Sequence, residues 1–180
     1  MAENRVDPTV AGLFLIGFIT LLFGIIGMQL YLDIAAIQTE PLFKATLAFV
    51  GMVGFILLIF AYMASKAGNG FAVALFAFVV VSFFAVPLAL DPAGIGFYQG
   101  LYIVAIFYLV FTILTLLIGG PKILALMLLV VAFLFFFVGM YLNFDKEPMY
   151  AMMFGIMGLT AAALAMYLGL AFATQRLPVV

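Results

Sequence analysis

The chain has 180 residues, of which 70% are hydrophobic and 7% charged, with six Lys or Arg against seven Asp or Glu and a mean hydropathy of +1.46. Soluble domains carry roughly 25% charged residues, so this chain has too little polar surface to face water and reads as an integral membrane protein. A net charge of −1 gives no basis for binding nucleic acid, the lack of Cys removes disulfide and thiolate chemistry, and the lack of His removes the commonest metal ligand and near-neutral pH switch.

In chain order, the polar start MAENRVDPT (1–9) lacks the basic character of a cleaved signal peptide, so the first apolar run is expected to stay in the mature protein. Six apolar runs follow, at about 10–32, 43–64, 71–90, 97–118, 122–144 and 149–173. Each is about 20–25 residues long, the length of helix that crosses a hydrocarbon core of about 30 Å, and none alternates as a barrel strand does. Turn chemistry marks the breaks: KAGNG (66–70), DPAGIG (91–96), GGPK (119–122) and KEP (146–148). Residues 1–180 therefore read as a single domain of the all-α membrane class.

Lys and Arg set the expected orientation. Six spans place the N-terminus, the Lys66 and Lys122 turns and the C-terminus on one side, which carries Arg5, Lys66, Lys122 and Arg176. The other side has Lys44 and Lys146 among Asp33, Glu40, Asp91, Asp145 and Glu147. This excess predicts a cell-membrane protein with both termini in the cytoplasm.

A short pattern recurs at the outer ends of the odd spans. GMQLYLD (27–33) and GMYLNFD (139–145) nearly match, and AVPLALD (85–91) is a weaker copy. The closing aspartates are 58 and 54 residues apart, close to the length of a two-helix hairpin. The spacing predicts three helical hairpins related by threefold pseudosymmetry about the membrane normal, as internal repeats build transporter folds. Interfacial turns that recruit Asp and Leu independently are the alternative.

The runs contain no acid–base pair, activated nucleophile or metal cluster, so no enzyme, catalytic residue, metal site or cofactor is expected. A buried carboxylate relay is not expected either. Small residues form the clearest faces. Ala151, Gly155, Gly158, Ala162, Ala165 and Gly169 make an uninterrupted stripe in the sixth span, which predicts close helix packing. In the first span Gly17, Thr20, Gly24, Gly27 and Tyr31 share a face, where two hydroxyls leave packing and a solute path both open. Gly51 and Gly54 begin a shorter version in the second. The phenylalanines of FLFFFV (133–138) are expected to face lipid or fill the bundle rather than form a gate. Tyr31, Tyr62, Tyr98, Tyr141 and Tyr150 lie near span ends as interfacial anchors, whereas Tyr102 and Tyr108 sit deeper and are candidates for a polar path.

Several of these segments together resemble the acetate uptake transporter family. DPTVAGL (7–13) is similar to that family's Asn-Pro-Ala-Pro-Leu-Gly-Leu opening, matching at Pro8, Gly12 and Leu13, with Asp7 where Asn is usual. KAGNGFAVALF (66–76) resembles its turn into the third helix, matching at Gly68, Asn69 and Phe71. YLVFT (108–112), ALAM (163–166) and LPVV (177–180) are similar to its later segments. The resemblance implies a homo-oligomer, a hexamer, with a path for acetate and similar small carboxylates through each protomer, moved with a proton or as the neutral acid. The family's Phe, Leu and Tyr constriction aligns with Ile16, Leu129 (or Val131) and Val79, so both aromatic members are replaced. The family's Glu-containing motif late in the sixth helix is missing, with Tyr167 to Gly169 in its place.

Carboxylate passage without basic residues is physically possible, because helix N-termini carry unpaired amide donors and partial positive charge. Asp7, Pro8, Gly12, Leu13, Gly68, Asn69 and Phe71 are accordingly the candidate inner mouth. Ile16, Val79, Leu129 or Val131, Thr20, Tyr102 and Tyr108 are the candidate path. Two other readings stay open: a channel for neutral solutes such as urea or short amides, whose family is similarly built, and a membrane scaffold that transports nothing.

Overall fold

A computed structural model describes residues 8–32, 39–90, 98–144 and 146–174. Six helices run in chain order: α1 (Pro8–Tyr31), α2 (Thr39–Lys66), α3 (Gly70–Leu90), α4 (Tyr98–Leu117), α5 (Lys122–Asn143) and α6 (Pro148–Thr174), with no strand among the described residues. Their bounds fall within a few residues of the apolar runs. Pro8 and Pro148 occupy first helical positions, where the missing N–H removes no helical bond. Asp7, Asp33, Asp91 and Asp145 lie outside the described residues.

Two turns on one side of the bundle share one geometry. After α2, Gly68 N–H bonds Ser65 O and Asn69 N–H bonds Ala64 O; after α4, Gly119 N–H bonds Leu116 O and Gly120 N–H bonds Thr115 O. Both are Schellman closures. Each puts a glycine at positive φ, 74° at Gly68 and 70° at Gly119, where a side chain would be strained. Lys146 takes a φ of 60° in the turn between α5 and α6.

Five helices are long and apolar enough to cross a membrane, and the stretch Gly70–Phe83 of α3 is apolar but shorter. Their outer surfaces are hydrocarbon as well. Met52, Phe55 and Ile59 on α2 and Ile106, Ile113 and Leu117 on α4 project outward, Leu117 at 75% exposure. So much contiguous apolar surface suits lipid, not water. Several helical threonine hydroxyls are satisfied within their own helices, as hydrocarbon demands: Thr112 donates to Tyr108 O, Thr115 to Phe111 O and Thr160 to Ile156 O. The chain is thus all-α and compatible with a multi-pass membrane protein.

The helices close into a ring in chain order, α6 packing back on α1. Packing around it is uneven. The α1–α6, α2–α3, α4–α5 and α5–α6 seams are extensive, whereas α1–α2 and α3–α4 touch sparsely. Two of the three hairpins expected from the aspartate spacing are therefore not packing units. Helices joined by the tight Schellman turns are held together, and the extensive α1–α6 seam joins the two ends of the described chain.

That seam uses the small residues of both helices. A Cβ placed on Gly27 would lie 2.6 Å from the backbone of Gly155; one on Gly158 would lie 2.5 Å from Gly24 N and 2.8 Å from Thr20 O. Gly17 faces Ala162 and Ala165 in the same register. The sixth-span stripe is thus a packing face. Without a hydrophobic driving force between helices in lipid, such close backbone contact is the main source of attraction. The two copies of the Gly-Met motif differ in use: Gly27 meets backbone, while Gly139 leaves room for the ring of Tyr102, 3.0 Å from where a Cβ would sit.

Candidate functional site

Helices α1, α3 and α5 run parallel and meet inside the ring. Between them lies a cavity of about 10 Å³ open to water centres, room for about one water molecule, lined by Ile16, Thr20 and Phe23 of α1, Leu75, Val79 and Phe83 of α3, and Met127, Leu128, Val131, Leu134 and Phe135 of α5, with Tyr108 from α4. Its surface is almost wholly hydrocarbon, and no charged side chain lines it.

The lining is layered. Ile16, Val79 and Val131 stand eight or nine residues past the starts of their helices, about 12–14 Å along the axis. They form an aliphatic collar in which Ile16 is 4% exposed and Val79 and Val131 are each 3% exposed. Phe83 and Phe135 follow about 6 Å further along their helices, and Phe23 about 10 Å further along α1. The spacing on α3 (Leu75, Val79, Phe83) repeats on α5 (Met127, Val131, Phe135) at an offset of 52 residues.

Several path residues expected from the sequence converge here: Ile16, Val79, Val131, Thr20 and Tyr108 all line the cavity. Leu129 does not. It is two residues from Val131, about 200° around the helix, so only one of the pair can face inward. Tyr102 is also outside the lining; it packs edge-on against Phe136, ring centroids 5.6 Å apart, over Gly139. Thr20 Oγ1 donates back to Ile16 O at 3.0 Å or Gly17 O at 3.1 Å, which commits its proton to its own helix. Tyr31, on the same face, is 40% exposed at the helix end.

Sequence reasoning had the phenylalanines of FLFFFV facing lipid or filling the bundle, and did not single out which of them lines the cavity. Phe133 and Phe136 do face out, at 43% and 40% exposure, but Phe135 is buried and lines the cavity. A signal was present: VVVSFFAV (79–86) and VAFLFFFV (131–138) share Val and Phe at the lining positions.

The candidate mouth residues have capping and packing roles. Asn69 caps α3, its Oδ1 accepting Ala72 N–H at 3.1 Å, so one amide donor of that helix end is already occupied. Gly12 admits the ring of Phe76, which a Cβ would strike. Leu13 is in the core, Phe71 packs against it and Pro8 is buried. These positions do not converge on one pocket.

No family model, no curated protein and no solved structure matches the chain.

Proposed function

We propose that the six-helix ring is a membrane conduit for small uncharged solutes, with the undissociated form of acetate or a similar short monocarboxylic acid as the first candidate cargo. The observation that carries this reading is the meeting of one aliphatic side chain from each of three parallel helices, Ile16, Val79 and Val131, around a single cavity that also receives Thr20 and Tyr108. An anion would find no positive partner in that lining and would shed its hydration at a cost of several kcal/mol; a neutral acid would not. The proton then travels on the cargo, and no residue relay is needed. The same reading has threefold pseudosymmetry in the lining helices, termini on the cytoplasmic side of the cell membrane, and protomers assembled as a homo-oligomer, a hexamer by the family resemblance.

The test is uptake of labelled acetate, propionate and urea by proteoliposomes across a pH series. Acid flux that climbs as pH falls toward the acid's own pKa supports the reading. Flux of urea without pH dependence turns the assignment to neutral amides. A second reading, a scaffold subunit, is favoured by the closed, one-water cavity, and impermeability to every small solute would establish it over the first.

A further inference from the structure

The lining repeats on two of its three parallel helices and breaks on the third. On α3 and α5 the position four residues beyond the collar is a phenylalanine, Phe83 and Phe135; on α1 the matching position, four beyond Ile16, is Thr20. Thr20, Phe83 and Phe135 stand twelve or thirteen residues past the starts of their helices, about 18–20 Å along the axis, so the three share a level. The backbone of α1 is pinned there against α6, since a Cβ on Gly158 would lie 2.8 Å from Thr20 O. Thr20 is thus the one polar side chain that α1, α3 and α5 bring to the cavity, and it is buried. A hydroxyl has one proton to give and lone pairs to accept with. Thr20 Oγ1 gives its proton to Ile16 O at 3.0 Å or Gly17 O at 3.1 Å, so what it keeps to offer is an acceptor.

We infer that Thr20 is the specificity-determining residue of the cavity, an acceptor that admits solutes carrying an O–H or N–H donor and refuses the carboxylate anion. This rests on the conduit reading and deepens it by naming what the passing solute must carry. An undissociated carboxylic acid or a primary amide can give its donor to Oγ1 and lay its apolar remainder on the aliphatic collar and the two rings. A carboxylate has only lone pairs to set against those of Oγ1, so it gains nothing there for the water it gives up. A ketone of the same size has no donor either and is held by contact alone. The hydroxyl stands where the repeat would put a third ring, so one departure from the pattern makes the level polar and leaves the space a small solute would fill.

The probes are acetamide, which has N–H donors, and acetone, which has the same heavy-atom skeleton and none. Binding is read by saturation-transfer difference NMR on the protein in deuterated detergent. Thr20→Phe, which fills the cavity with the third ring, gives the background to subtract, and Val131→Phe serves should that variant not fold. Transfer to acetamide is expected to exceed transfer to acetone. Thr20→Val, which keeps the shape and loses the hydroxyl, is expected to cut the acetamide signal about three- to tenfold, the span that one hydrogen bond allows, while Thr20→Ser keeps it within about twofold. Thr115→Val, which removes a buried hydroxyl of α4 outside the lining, is expected to leave it unchanged. An acetamide signal in Thr20→Val within about twofold of the unsubstituted protein, an equal loss with Thr115→Val, or no signal above the filled-cavity background overturns the inference. Donor-selective binding by protein that passes no solute in proteoliposomes upholds the role of Thr20, and the conduit reading alone fails.

Discussion

Substituting Gly158 with Ala tests whether backbone contact between α1 and α6 holds the ring closed. The new Cβ would sit 2.5 Å from Gly24 N, 2.7 Å from Gly24 Cα and 2.8 Å from Thr20 O. Ordinary carbon contacts lie at about 3.5–4.0 Å, so α1 must retreat by about 1 Å, and the atoms it meets are backbone that cannot rotate away. A gap of that size forfeits a quarter to a half of each contact's attraction along the seam. Overpacking of this kind costs about 1–3 kcal/mol, against a helix-propensity gain of up to about 1 kcal/mol for replacing Gly with Ala. The net expectation is a loss of about 1–2 kcal/mol. Gly51→Ala is the internal control, because nothing lies within 4 Å of a Cβ there, and the propensity gain of about 0.5–1 kcal/mol should appear alone. At about 2–4 °C per kcal/mol for a chain of this size, thermal unfolding in detergent followed by circular dichroism should show Gly158→Ala melting about 2–8 °C low and Gly51→Ala slightly high. Equal melting temperatures would refute the packing argument.

Three further outcomes are expected. Ile16→Ala and Val131→Ala should each raise propionate and lactate flux relative to acetate several-fold by opening the collar, while Leu129→Ala should leave the ratios alone; identical ratios in all three would remove the collar as a size filter. Asn69→Ala should lower stability by about 1 kcal/mol through loss of the α3 cap, with Asn69→Asp or Asn69→Ser restoring most of it, as read by the same melting assay. Acid flux should fall about tenfold for each pH unit above the acid's pKa, because only the protonated fraction crosses. A flat profile for acetate would mean that the anion itself passes.

The helices and their ends were legible because lipid imposes one rule, that every backbone amide be satisfied within its own segment, and apolar length reads out that rule directly. Pro8, Asn69 and the glycines at 68 and 119 punctuated the chain where the sequence indicated, since caps and left-handed turns depend on local chemistry. The small stripe of α6 was also correctly read as a packing face. The lining of the cavity was only partly legible. Ile16, Val79, Thr20 and Tyr108 were identified, but the choice between Leu129 and Val131 was not, because a two-residue slip leaves the composition of α5 unchanged and rotates the facing side chain by about 200°. The phenylalanine layer was obscured for a related reason. In a helix hydrophobic all round, apolar periodicity cannot separate the face toward lipid from the face toward the bundle.

The sequence by itself determined the all-α class and the presence of the six described helices, because a backbone in apolar surroundings must satisfy its amides within its own segment, a local requirement. The tertiary structure alone decided which helices pair and which residues meet at the centre. Aspartates at hairpin spacing suggested pairing along the chain, whereas the tightest seam joins α1 to α6, the first and last helices. That choice follows from how closely two backbones can approach, a property of two surfaces brought together and not of either segment alone.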